Sequence, residues 1–177
     1  MIFFWIFFAL LVSQRFLELL LAKRNEQIVK SKGALEFDRD GYKYIVATHV
    51  AFLISLVLER FSLQRELNKF WVVFLLIFLI AQILRYWAIS SLGVYWNTKV
   101  LVVPGSELVS TGPYKYFKHP NYIAVIAEIA VIPLIFSCYL TSILFSIVNL
   151  ILIRRRIKIE ENALDNIRRN PVRHTDV

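Results

Sequence analysis

Cysteine is almost absent from this chain. Cys138 is the only one in 177 residues, and it lies inside an apolar run. A single thiol excludes an intrachain disulfide and offers no metal site. No Gly-rich dinucleotide fingerprint occurs, so nothing indicates a Rossmann cofactor site. The N-terminal stretch Met1–Leu11 lacks a basic leading segment and a small-residue cleavage site. It reads as a retained span, not a removed signal. No internal repeat and no low-complexity linker divides the sequence, and its size suggests one compact bundle over residues 1–177. Acidic residues are also scarce, 13 against 21 Lys and Arg, for a net charge of +8. That excess raises the question of nucleic acid. The basic residues sit beside apolar spans, however, where they set topology and meet anionic lipid, so no nucleic-acid partner is expected.

What the chain has in abundance is apolar surface. Hydrophobic residues make up 58% of it, and the mean hydropathy is +0.58. Soluble domains run at roughly 45–50%. The expected fold is an all-α integral membrane protein. Spans are expected at residues 2–22, 43–59 and 70–90, followed by a polar, Gly- and Pro-broken stretch at 91–121. The last apolar block, 122–153, would be about 48 Å long as one helix, against a hydrocarbon core of about 30 Å. Two helices turning near 136–141, after Pro133, fit better. Charge tests this split. With five spans, segments 23–43, 85–121 and the tail from 154 fall on one side with seventeen Lys and Arg, and segment 60–69 falls on the other with three. The positive-inside tendency then places the N-terminus outside and the C-terminus in the cytoplasm.

Several polar residues interrupt the spans: Gln14, Arg15, Glu18, His49, Gln82, Arg85 and Glu128. Such groups are costly in lipid and usually face the bundle interior or a wet cavity. Arg15 and Glu18 are three apart and read as a structural ion pair. His49 stands alone and reads as a satisfied interior histidine. For Glu128 two readings stay open, a functional site or a partner for Arg85. The tail RRRIKIEENALDNIRRNP carries a helical stripe of Ile153, Ile157 and Leu164, limited by Pro171. It reads either as an interfacial helix whose glutamates pair in solvent or as one whose glutamates turn toward a ligand.

The stretch PYKYFKHPNY at 113–122 is neither a span nor an ordinary loop. Together with the tail it resembles the C-terminal signature of the isoprenylcysteine carboxyl methyltransferase family. That signature is Gly112-Pro113-Tyr114, Lys118-His119-Pro120-Asn121-Tyr122, an apolar hairpin, and Arg156 with Glu160, Glu161 and Leu164. The likeness covers roughly residues 82–165. Lys118 stands where the family usually has arginine, and Ala124 where glycine often follows the tyrosine.

The resemblance implies a membrane methyltransferase whose cytoplasmic loop and C-terminal helix bind S-adenosylmethionine. The implied cofactor residues are Tyr114, His119, Pro120, Tyr122, Glu160 and Glu161. Carboxylates suit a ribose diol, and aromatic faces suit a sulfonium. Arg85 or Arg156 would hold an anionic acceptor, and Glu128 is the further catalytic candidate. The implied substrate is a lipid-like molecule, isoprenoid or alkyl-chain, with a carboxyl or hydroxyl group. Membrane lipids are the other expected contacts, with no metal and no obligate protein partner. A bacterial plasma membrane is the expected location. The competing readings are a small transporter and a non-enzymatic scaffold with a lipid-binding basic tail.

Overall fold

The computed structural model describes residues 1–169, and the expected limit at Pro171 lies outside them. The described residues fall into two compact units. Unit one holds residues 1–39, 92–108 and the end of the last helix from Lys158; unit two holds 40–91 and 109–157.

In unit one, α1 runs from Ile2 to Ser31, nine residues beyond the expected span. No Gly or Pro interrupts the charged continuation, so the helix carries on where the apolar run stops. Gly33 ends it at φ +81°, with Gly33 N–H donating to the Lys30 carbonyl and Ala34 N–H to that of Val29. This paired termination needs a left-handed residue that glycine supplies without strain. Arg15 and Glu18 pair at 2.7 Å, joined by Gln14, as their spacing predicts.

The all-α expectation needs one correction. Strand β1 (Leu35–Phe37) pairs antiparallel with β2 (Val100–Val102), with Glu36 opposite Leu101. Two strands of three residues, some 65 positions apart, leave no periodic trace in the sequence. Charges fasten the ribbon to α1. Lys30 contacts Glu26 at 2.6 Å and Glu36 at 3.0 Å, and Lys99 contacts Glu26 at 2.7 Å. The Lys30 ammonium donating to Glu36 holds that carboxyl below its ordinary range. Buried Asn25 donates to the carbonyls of Gly93 and Trp96, fixing the segment before β2.

In unit two, α2 (Arg39–Ser62, its first residue in unit one) and α3 (Trp71–Leu92) precede a hairpin of α4 (Pro120–Ile135) and α5 (Tyr139–Arg169). The turn occupies 136–138, within the expected window. Pro133 sits in the last turn of α4, its carbonyl accepting from Phe136 and Cys138, while Ser137 takes φ +54°. The tail is not a separate helix. It continues α5 without a break, with Arg156 and Ala163 buried beyond Ile153, and Ile157 and Leu164 half-buried.

The helices of this unit are inside-out relative to soluble ones. On α3 the buried stripe includes Gln82 and Arg85, while Leu76, Leu79, Ile80 and Ile83 are exposed. On α5 the buried face carries Thr141, Ser142, Phe145, Asn149, Ile153 and Arg156, and Leu140, Ile143, Ile147 and Ile151 are exposed. Apolar surface turned outward is stable in lipid, and polar groups turned inward can satisfy one another there. Among the described residues three helices, Ile2–Ser31, Arg39–Ser62 and Trp71–Tyr95, are long and apolar enough to cross a bilayer. The protein is a membrane protein.

Candidate functional site

The loop before α4 is set by Gly112 and Pro113. Gly112 has φ +61°, and a Cβ there would collide with Ser91 and approach the Trp87 indole. Only glycine permits this close passage across the end of α3. Gly112–Lys115 then forms a single 3-10 turn with Pro113 buried. Tyr114 lies half-buried in it, while Tyr116 and Phe117 are exposed.

His119 and Pro120 start α4. Pro120 occupies the first helical position, where its missing N–H is no loss. His119 precedes it at φ −132°, ψ 63°, a narrower angle than the extended geometry expected before proline. Its carbonyl accepts from the N–H groups of Tyr122 and Ile123, opening the helix. The His119 and Tyr122 rings stack at 5.3 Å with 22° between planes.

Tyr122 joins this loop to α5. Arg156 Nε donates to the Tyr122 hydroxyl at 2.9 Å, and the guanidinium carbon is 5.9 Å from the ring centroid. Helix geometry explains how the two meet. Side chains lean toward the N-terminus of their own helix. In this hairpin Arg156 therefore leans toward the turn and Tyr122 away from it, so the two converge. Arg156 is only 6% exposed. Glu160 and Glu161 follow one turn later on the same continuous helix. Ala124, at the position where the family often has glycine, is fully buried.

Deeper in unit two, Glu128 is fully buried. Arg85 Nε donates to its Oε1 at 2.7 Å, Arg85 Nη2 contacts its Oε2, and Gln82 donates to Oε1 at 2.8 Å. Of the two readings of Glu128, this bidentate pair shows the partnership with Arg85. His49 Nδ1 lies 2.8 Å from its own helix's Ile45 carbonyl, the satisfied histidine expected. Among the described residues no cluster of metal-ligating side chains occurs.

Sequence reasoning passed over two polar residues of this unit. Glu59, at the end of an apparent span, is buried and accepts from the N–H groups of Leu140 and Thr141. It caps the start of α5 from another helix, where a carboxylate meets unsatisfied amides and the positive end of the dipole. Asn149, alone in an apolar run, is 3% exposed, and its Nδ2 has no hydrogen-bond partner. An isolated carboxamide among aliphatic residues was the available signal.

Comparison with known proteins bears on the same residues. The model of the isoprenylcysteine carboxyl methyltransferase (ICMT) family matches residues 72–166, from α3 through the tail of α5. Uncharacterized protein YpbQ of Bacillus subtilis (strain 168) is 48% identical over 161 residues, covering 91% of this chain and 96% of that protein. An uncharacterized protein of Haemophilus influenzae is 26% identical over 168 residues, covering 94% and 98%. No solved structure matches.

Proposed function

The chain belongs to the isoprenylcysteine carboxyl methyltransferase family, and from that premise we propose that it is an S-adenosylmethionine-dependent O-methyltransferase. It acts on a carboxyl or hydroxyl group of a lipid-like substrate at the cytoplasmic face of a bacterial plasma membrane. The observation that carries this reading is the Arg156–Tyr122 hydrogen bond, which joins two halves of a signature 34 residues apart. In this reading the whole chain is one catalytic domain with five spans, N-terminus outside, α4 and α5 being the last two. The inverted polarity of α5 supports its place in the bilayer.

The residues present suit the cofactor. The stacked His119–Tyr122 pair offers aromatic surface, and Tyr114 and Pro120 flank it in sequence. Glu160 and Glu161 supply carboxylates for a ribose diol. When bound, S-adenosylmethionine supplies an electrophilic methyl: the carbon–sulfur bond breaks with its electron pair going to sulfur, and a carbon–oxygen bond forms at the acceptor.

The protein's part is positioning and charge placement. Arg156, beside Tyr122, is the cation that holds an anionic acceptor. Arg85 is bound to Glu128 and acts by holding α3 against α4. A carboxyl acceptor is ionised at neutral pH, since its reference pKa is about 4, and it needs no base. A hydroxyl acceptor needs a low pKa of its own, so that its proton goes to water, because both Glu128 oxygens already accept hydrogen bonds. The apolar chain of the substrate enters from the lipid between helices.

The test is methyl transfer from radiolabelled S-adenosylmethionine into lipid extracted from membranes containing the protein. Label should enter the lipid fraction, and its release by mild base would mark a carboxyl ester. Absence of transfer to any extracted lipid by folded protein would refute the reading.

A further inference from the structure

The motif loop carries an exposed tip. Lys115, Tyr116, Phe117 and Lys118 are consecutive exposed residues, with Tyr116 at 67% and Phe117 at 46%. The backbone holds this tip in place. The N–H groups of Tyr116 and Phe117 both donate to the carbonyl of buried Pro113, at 3.0 and 2.9 Å. The Lys115 ammonium lies 5.9 Å from the centroid of the Tyr116 ring. The cofactor reading uses Tyr114, His119 and Tyr122 and leaves the two rings of the tip without a part.

A second cationic group lies on α5. The outward stripe of that helix runs through Leu140, Leu144, Ile147 and Ile151, each more than half exposed. Three and four residues beyond Ile151 are Arg154 and Arg155, on the same face and both exposed. The face that is aliphatic along the hairpin therefore turns cationic within one helical turn, about 5 Å. On α4 the outward apolar surface begins at Ile123, 42% exposed, just after the tip. The hydrogen bond from Arg156 to Tyr122 brings this level of α5 beside the first turn of α4. Both cationic groups thus border the apolar surface at the end of the hairpin away from its turn. Charges at such a border reach for headgroups, and aromatic rings favour the same depth.

We propose that this border is a docking surface for anionic phospholipid: Tyr116 and Phe117 enter the leaflet, and Lys115, Lys118, Arg154 and Arg155 meet its phosphates. The occupant is a leaflet, so no single headgroup has to touch all four cations. Charge complementarity selects anionic lipid. Continuity selects lipid over a soluble acidic partner, because the arginines prolong the stripe that faces acyl chains, and a soluble partner would have to displace lipid to reach them. The consequence for the loop is mechanical. The leaflet holds the tip from outside while the Gly112–Lys115 turn and the start of α4 hold it from within. The proposal rests on α4 and α5 being membrane helices, and it is measurable without methyl transfer.

The experiment uses the full-length protein in phosphatidylcholine vesicles, with chain-labelled phosphatidylglycerol and phosphatidylcholine as spin probes. The wild type should associate with the anionic probe about fivefold more than with the neutral one. Lys115→Gln/Arg154→Gln/Arg155→Gln should bring the ratio below twofold. So should 1 M salt on the wild type, where screening acts within about 3 Å, and this arm serves if the triple variant does not fold. Arg154→Lys/Arg155→Lys keeps the charge and should keep the ratio. Equal association of the two probes with the wild type would overturn the proposal, and so would a ratio that survives in the triple variant. Depth is read from nitroxides at Phe117→Cys and Ile147→Cys, which label selectively because Cys138 is buried. Both labels should be reached by dissolved oxygen more readily than by a water-soluble nickel chelate, Phe117→Cys less deeply than Ile147→Cys. A label at 117 in water with that at 147 in lipid would overturn the proposal and leave the five-span reading standing. A label at 147 in water would refute that reading and the proposal with it.

Discussion

Arg85 and Arg156 are both buried in helices whose outer faces are aliphatic, at 2% and 6% exposure. Their neighbours differ. Arg85 grips both oxygens of the fully buried Glu128, with Gln82 alongside. Arg156 donates to a phenol that belongs to the loop motif, at the end of α4 away from the turn. A guanidinium clamped by a carboxylate in the bundle interior joins two helices and has little left for a ligand. The Arg156 guanidinium meets the hydroxyl and the ring of the motif tyrosine, and so ties α5 to the start of α4. The same residue type, on the same kind of helix, meets a buried carboxylate in one place and the tyrosine of the loop motif in the other.

The strongest test of that contrast is to remove one member of each pair. Arg85→Leu strands a buried carboxylate and should destabilise the protein by about 3–5 kcal/mol. Glu128→Leu should do the same from the other side. The double replacement by methionine should recover most of the loss, because neither charge is then uncompensated. Unfolding in micelles measures all three, and additive single and double effects would contradict the clamp.

Arg156→Leu should behave differently. It removes a hydrogen bond to a neutral hydroxyl, about 1 kcal/mol, yet methyl transfer should fall about 100-fold. Arg156→Lys keeps the charge without the planar fork and should recover only part of the rate. A variant as active as wild type would put the acceptor-holding cation elsewhere.

A smaller effect is expected where the loop crosses α3. Gly112→Ala combines positive φ with a collision at Ser91 and should cost about 1–3 kcal/mol. Gly93→Ala has positive φ but open space around it, so it should cost less. Thermal midpoints of the two variants give the order directly.

The smallest effect lies in unit one. The Lys30 hydrogen bond lowers the Glu36 pKa below its reference of 4.5. A depressed carboxyl stabilises the folded state fully above that reference, and this is lost as pH falls through the lowered value. Hydrogen exchange at the β1–β2 amides should therefore quicken in acid, and Glu36→Gln should blunt that dependence.

What the sequence made legible follows from which forces leave a local trace. The α4–α5 turn was visible because 32 apolar residues cannot cross a bilayer once, and Pro133 marks the place. The signature residues were visible because their order is itself information, and Tyr122 and Arg156 do meet. The end of α1 was not visible, because hydropathy reports where lipid stops and not where a helix stops. The β1–β2 ribbon, the Glu59 cap on α5 and the Asn25 bridge all join residues more than 60 apart, with no spacing rule to announce them. Asn149 was passed over because one carboxamide in an aliphatic run resembles noise until its burial is known.

The most direct measurement is calorimetric titration of S-adenosylmethionine into the full-length protein in micelles that preserve its helical circular dichroism. The account predicts saturable one-to-one binding, weakened by Tyr122→Ala and by Glu160→Ala at unchanged helicity. No heat of binding from folded wild-type protein would contradict it.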